Sequence, residues 1–183
     1  MMKTRDITLS ALMIAVLAIC SQLSIPIGPI PITLQTFAVL LIGLLLPPKH
    51  ALLVTSSYLL LGLIGLPVFA NASGGLQSLI SPAFGFAIAF IPAATIMAHF
   101  LQKQHQPRLI TYLLASVLAT VILYAIGLSY MSFILNVVLG AELTASKILM
   151  LGMIPFIPGD IIKIMLSITI ALRLRNPLQT SFT

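Results

Sequence analysis

Two ionisable side chains of opposite sign, Asp160 and Lys163, lie three residues apart inside a long apolar stretch near the end of the chain. Each would cost about 2.5–3.5 kcal/mol at the centre of a membrane helix, and ionisable groups in such places usually serve a function. Residues three apart share one face of a helix and can neutralise each other. Pro158-Gly159 predicts a helix break before the pair, which would place Asp160 near a helix N-terminus that favours negative charge. We therefore expect the pair to bind a polar ligand; the alternative is a structural ion pair that ties the last helix to the bundle.

The composition of the chain is that of an integral membrane protein. Of its 183 residues, 60% are hydrophobic and 7% are charged, and the mean hydropathy is +1.18. A soluble domain carries roughly 25% charged residues, so this chain cannot cover a surface that faces water. Its apolar runs are continuous rather than alternating, which excludes an outer-membrane barrel. The nine Lys and Arg residues are scattered, so the net charge of +6 indicates membrane topology and no nucleic-acid partner.

Six apolar segments predict one all-α integral membrane domain over residues 1–183, a bundle of six transmembrane helices. The predicted spans cover residues 7–23, 34–46, 50–66, 82–101, 109–139 and 143–174. With a cytoplasmic N-terminus, Lys147 is the one basic residue in an outer segment. Seven lie in inner segments, namely Lys3, Arg5, Lys49, Lys103, Arg108, Arg173 and Arg175. This excess of positive charge inside predicts that both termini are cytoplasmic.

The first two outer connections of this topology, residues 24–35 and 65–82, carry no charge and are rich in Pro and Gly. Irregular backbone at membrane depth is tolerated where it lines a cavity, so we expect both to fold over the helix ends as a lid or cavity wall. Ordinary interfacial loops packed on the bundle are the alternative. Arg173 follows Asp160 by 13 residues, about 20 Å of helix. The charged pair is therefore expected in the outer half of a bilayer core about 30 Å thick, on the side of these loops.

The first predicted helix carries a stripe of small residues, Ala11, Ala15 and Ala18, at i, i+4 and i+7. Small residues at this spacing let another helix approach closely. The stripe predicts either docking on a second membrane protein or packing inside the chain's own bundle. The sequence has no Gly-x-x-x-x-Gly-Lys-Ser/Thr phosphate loop, no Cys pair and no His-x-x-x-His pair. It therefore predicts no metal or cofactor, and an active transport function would need an ATP-hydrolysing partner.

Three segments, in this order, resemble motifs of the BioY family of biotin-uptake proteins: residues 29–35, residues 65–76 and residues 158–163. The resemblance extends over nearly the whole chain, with a departure at Asn71-Ala72, where family members commonly carry glycines. Such proteins are S components, the substrate-binding subunits of energy-coupling-factor (ECF) transporters. The resemblance implies capture of biotin from outside the cell at the plasma membrane. It also implies association, through Ala11 and Ala15, with a membrane coupling subunit and two cytoplasmic ABC-type ATPases.

The chemistry of biotin agrees with this resemblance. Asp160 can accept hydrogen bonds from the ureido N–H groups, and Lys163 can donate to the ureido carbonyl or keep Asp160 ionised. The remaining candidate ligand-binding residues are two loop amides and four aromatic wall residues: Gln35, Asn71, Phe69, Phe84, Phe86 and Tyr124. The ureido end is the expected partner of Lys163, and the carboxylate end is the alternative. Other functions left open are an S component for another vitamin, a solitary facilitator, and a membrane enzyme that uses Asp160 as an acid.

Overall fold

The computed structural model describes residues 4–26, 28–104 and 107–179, the last five of these as backbone alone. Within these ranges the chain is an all-α bundle with one short β-hairpin, as the sequence predicts for the fold class. The helices are α1 (Thr4–Gln22), α2 (Gln35–Leu45), α3 (Pro48–Leu63), α4 (Phe84–Gln102), α5 (Leu109–Phe133), α6 (Ala145–Gly152) and α7 (Ile157–Gln179). A π-helical turn, Ile134–Val138, extends α5. Lys3, which the topology argument uses, lies outside the described residues.

Four helical segments among the described residues are long and apolar enough to cross a membrane: Thr4–Gln22, Phe84–Gln102, Leu109–Val138 and Ala145–Leu174. The chain is thus a multi-pass membrane protein. By contrast, α2 has 11 residues, about 16 Å of helix, which is shorter than a bilayer core about 30 Å thick. The count of six spans and the cytoplasmic placement of both termini stay predictions.

The short helix α2 is the centre of the bundle. Every residue from Ala38 to Leu45 is buried, and the helix packs against α1, α4 and α7. A helix that is apolar on all sides is stable only when other helices surround it. Helix α2 begins at Gln35, and Thr36 in its half-buried first turn contacts Lys163 of α7.

The first outer loop contains a β-hairpin that the all-α prediction does not include. Strands β1 (Ser24–Ile25) and β2 (Ile32–Thr33) pair antiparallel, with Ser24 opposite Thr33. The β-branched Ile and Thr side chains favour extended backbone. At two residues a strand, the pairing is too short to be read from sequence periodicity.

The sixth predicted segment, residues 143–174, is interrupted earlier than the sequence predicts. Helix α6 ends at Gly152, and a 3₁₀ turn over Ile154–Phe156 precedes α7. Pro158 and Gly159 lie in the first turn of α7 rather than before it. A proline is tolerated there because the first N–H groups of a helix have no partner within the helix. Asp160 still lies in the first turn, as predicted from its expected proximity to a helix N-terminus.

Two of the three small residues of the α1 stripe, Ala11 and Ala15, face away from the bundle, whereas Ala18 is partly buried and packs against the core. Ala11 and Ala15 are exposed, whereas Ser10 and Leu17 on the opposite face are buried. Packing of Ala11 and Ala15 inside this bundle is therefore ruled out, and their face is available to another molecule.

Candidate binding site

A partly open cavity of about 650 Å³ lies between the two outer loops and the helix ends beneath them. Most of its lining comes from the residues that follow α1 and α3 and from the first two turns of α2, α4 and α7, and α5 adds Thr120, Leu123 and Tyr124. These ends meet at the side of the bundle opposite the first residues of α1 and the last residues of α7. The predicted cavity wall is confirmed for both loops. Small-molecule sites have volumes of about 300–1,000 Å³, so this cavity is large enough for one.

The buried ion pair lies on the wall of this cavity. Lys163 Nζ is 3.2 Å from Asp160 Oδ1, and the two residues are 6% and 7% exposed. Lys163 Nζ also donates to Thr36 Oγ1 at 3.1 Å, and the Tyr124 hydroxyl donates to Asp160 Oδ2 at 2.5 Å. The pair is thus held by α2 and α5 as well as by its own helix.

Part of the hydrogen-bonding capacity of the pair is not used by the described residues. A lysine ammonium has three N–H groups, and two of those of Lys163 are used by described residues. Each carboxylate oxygen of Asp160 accepts one bond from a described residue and can accept another. Thr36, which accepts from Lys163, keeps its own hydroxyl proton to donate. The site can therefore both donate to and accept from a neutral polar group without separating the ion pair.

A second hydrogen-bond network connects Gln35, at the start of α2, to the second outer loop. Gln35 Nε2 donates to the hydroxyl of Tyr58 at 2.7 Å, and that hydroxyl donates to the carbonyl of Val68 at 2.8 Å. Thr33 Oγ1 donates to Gln35 Oε1 at 3.0 Å. Tyr58 is fully buried, so its hydroxyl needs these partners. The network fixes the orientation of the Gln35 amide, which lines the cavity.

Aromatic rings form the apolar walls. The rings of Phe69 and Phe84 meet edge to face with centroids 6.0 Å apart, and those of Phe86 and Tyr124 do so at 6.3 Å. Each pair joins residues from different elements, so the rings brace one another as well as line the cavity. Such walls suit a flat, largely apolar ligand.

The end of α1 fastens the second outer loop over the cavity. Gln22 Nε2 donates to the carbonyls of Pro67 and Phe69 at 3.2 and 3.1 Å, and Gln22 Oε1 accepts from the Ala72 backbone N–H at 3.0 Å. Ser24 Oγ donates to Asn71 Oδ1 at 2.8 Å.

The loop backbone is left-handed at two consecutive residues that are not glycine. Asn71 and Ala72 have φ of 58° and 52°. Only Gly, and to a lesser extent Asn and Asp, adopt this region easily. Glycine would adopt this conformation at either position without steric cost.

The structure brings all eight predicted ligand-binding residues to one cavity: Gln35, Phe69, Asn71, Phe84, Phe86, Tyr124, Asp160 and Lys163. Their role in binding stays a prediction. Sequence reasoning missed Thr36 and Tyr58, although each was a polar group inside an apolar run and could have been singled out on that ground. Ala11 and Ala15 lie apart from the cavity, on the exposed face of α1.

Comparison with known proteins shows consistent similarity along the chain. The BioY family model matches residues 1–180. A protein of Pyrococcus horikoshii named a probable biotin transporter is 36% identical over 175 residues, covering 96% of this chain and 99% of that one. A biotin transporter of Thermotoga maritima is 34% identical over 172 residues, covering 94% and 96% of the two chains.

Similarity of structure points the same way. The crystal structure of the S component for biotin from an ECF-type ABC transporter superposes with a TM-score of 0.83 at 31% identity, over 100% of both chains. A match of this extent covers the two outer loops and the first turn of α7 together with the rest of the bundle. The chain therefore belongs to the BioY family.

Proposed function

We propose that this chain is the biotin-binding subunit of an ECF transporter, which captures biotin from outside the cell and delivers it to the cytoplasm with an ATP-driven module. Membership of the BioY family and the relatives that are named biotin transporters support this function. The observation that carries it is the ion pair of Asp160 and Lys163, buried in the bundle yet on the wall of a cavity. An ion pair that served structure alone would not need a void of about 650 Å³ beside it.

The ureido group of biotin matches the hydrogen bonds that this pair has left. One of its N–H groups meets a free lone pair of the Asp160 carboxylate, and its carbonyl meets the third N–H of Lys163 or the hydroxyl of Thr36. Asp160 already neutralises Lys163, so the site favours a neutral dipolar group over a carboxylate. The thioether ring of biotin then lies against the aromatic walls, and the valerate chain extends toward the amides of Gln35 and Asn71.

Transport against a gradient needs a partner, because the sequence carries no phosphate-binding loop. The exposed face of Ala11 and Ala15 on α1 is suited to close packing with a transmembrane helix. We assign this face to a membrane coupling subunit that is joined to two ABC-type ATPases in the cytoplasm. The protein then lies in the plasma membrane with both termini inside, as the charge distribution predicts.

Calorimetric titration of the purified protein tests the proposal. Biotin is expected to bind tightly, desthiobiotin more weakly because it lacks the thioether ring, and thiamin not at all. The methyl ester of biotin is expected to keep most of the affinity, because the ureido end contacts the ion pair. Thiamin binding in place of biotin would assign the protein to another vitamin. A complete loss of affinity with the ester would place the carboxylate at Lys163 instead.

A further inference from the structure

Gly62 of helix α3 makes a close contact with the second outer loop. Its carbonyl accepts from the backbone N–H of Gly75 at 2.6 Å. On the same residue, the position that a Cβ atom would take is already filled by the ring of Phe69, whose Cζ, Cε1 and Cε2 atoms would overlap it. The Phe69 ring thus occupies the space that a side chain at residue 62 would fill.

The ring of Phe69 is bounded by two other aromatic rings and by the cavity. Tyr58 lies against it with centroids 5.6 Å apart, and Phe84 lies against it at 6.0 Å. Phe69 is 6% exposed and lines the cavity. A group added at residue 62 would therefore push the ring into the cavity, since the other neighbours are closely packed.

We propose that Gly62 is a positioning residue of the binding site. Because Gly62 has no side chain, the Phe69 ring can pack directly against α3. The position of this ring determines the cavity volume that is available to the ring system of the ligand. This inference rests on the proposed biotin site. Gly62 itself does not line the cavity. It controls the shape of the cavity through its contact with Phe69.

Two other tightly packed glycines differ from Gly62 in what they would meet, whereas at Gly127 a Cβ atom would also meet an aromatic ring, that of Phe86. A Cβ atom at Gly74 would overlap the backbone carbonyl of Leu66, and one at Gly85 would overlap Cβ of Tyr130. Neither neighbour can move without moving main chain, so those changes would affect folding. At Gly62 the overlapping atoms are the far end of a side chain, which can rotate. Gly62→Ala is therefore expected to affect ligand binding more than folding.

A double-mutant cycle over Gly62→Ala and Phe69→Leu tests the inference, because leucine lacks the three ring atoms that the new methyl group would overlap. With Phe69 present, Gly62→Ala is expected to weaken biotin binding at least tenfold. In the Phe69→Leu background, the same change is expected to weaken it less than threefold. Leu60→Ala, on the exposed face of the same helix (61% exposed), is the control and should leave affinity unchanged.

Equal losses of biotin affinity on Gly62→Ala in the two backgrounds, or no loss with Phe69 present, would overturn the inference.

Hydrogen exchange of residues 65–75 in the ligand-free protein provides a readout that does not need biotin. It should become faster in Gly62→Ala and return toward its starting rate in the double variant. If the unchanged protein binds no biotin, the proposed function fails, and this exchange measurement alone decides whether residue 62 positions the loop. Should Gly62→Ala fail to fold, folding restored by Phe69→Leu would support the contact, and folding not restored would refute it.

Discussion

Replacing Asp160 with Asn removes the negative charge of the buried pair while keeping nearly the same shape. Lys163 would then be a buried cation, 6% exposed, with the hydroxyl of Thr36 as its second acceptor. The new amide would also present N–H groups either to Lys163 or to the hydroxyl of Tyr124, which now donates to the carboxylate. Breaking a buried pair by removing one partner costs about 3–5 kcal/mol, and we expect a loss of this size in the free energy of unfolding.

Ligand binding should suffer separately from stability. Asp160 supplies a charge-assisted acceptor for one ureido N–H group, and a hydrogen bond to a charged group contributes about 1.5–3 kcal/mol. The expected loss of biotin affinity is therefore roughly 10- to 100-fold. Adding Lys163→Met removes the unpaired cation, and replacing both members of a buried pair with uncharged groups is often neutral or stabilising. The double variant should thus regain stability while biotin binding stays weak.

Equilibrium unfolding in detergent micelles gives the first quantity, and isothermal titration with biotin gives the second. The reasoning would be refuted if Asp160→Asn bound biotin within threefold of the unchanged protein. It would also be refuted if the double variant recovered both stability and affinity. In that case the pair would be a structural tie between α7 and the bundle, and the ligand would be recognised elsewhere in the cavity.

Three further predictions concern α1 and the loop that it holds. Gln22→Ala removes hydrogen bonds to the loop backbone that together contribute about 1–2 kcal/mol, so biotin should dissociate roughly 5- to 30-fold faster in a displacement assay; an unchanged rate would mean that other contacts close the loop. Ala72→Gly relieves a φ of 52° and should stabilise the protein by about 0.5–1 kcal/mol, seen as a higher Tm; a lower Tm would contradict this reason. Ala11→Trp and Ala15→Trp should leave biotin binding intact but prevent co-purification with the coupling subunit. Val121→Trp, at an exposed position of α5, is the control and should leave both biotin binding and co-purification unchanged. A complex that still formed with the α1 variants would place the interface elsewhere.

Several properties of this protein could be predicted from the sequence because they depend on the type of each residue. A chain with 7% charged residues cannot be soluble, and continuous apolar runs form helices in a membrane because the backbone must satisfy its own hydrogen bonds there. An aspartate and a lysine inside such a run are conspicuous because each is costly on its own. The uncharged, Pro-rich loops could be assigned to a cavity wall because irregular backbone at membrane depth is tolerated where it lines a cavity.

Other features depended on contacts between residues that are far apart in the chain. Thr36 lies 127 positions before Lys163, and Tyr124 lies 36 positions before Asp160, so no local pattern pairs them. Whether Ala11 and Ala15 face the bundle or the exterior depends on how α1 is rotated, which the sequence does not specify because the apolar residues are spread around the helix.

The remaining discrepancies have the same origin. Both Pro155 and Pro158 can end a helix, and the break occurs at the 3₁₀ turn containing Pro155, while Pro158 fits into the first turn of α7. The contact between Gly62 and Phe69 needs α3 and the loop to be packed before it exists. Residue type determined which polar groups had to avoid lipid or find a hydrogen-bonding partner. Tertiary packing alone decided which partner each group found, because the partners lie on segments that are far apart in the chain and meet only when their shapes fit together.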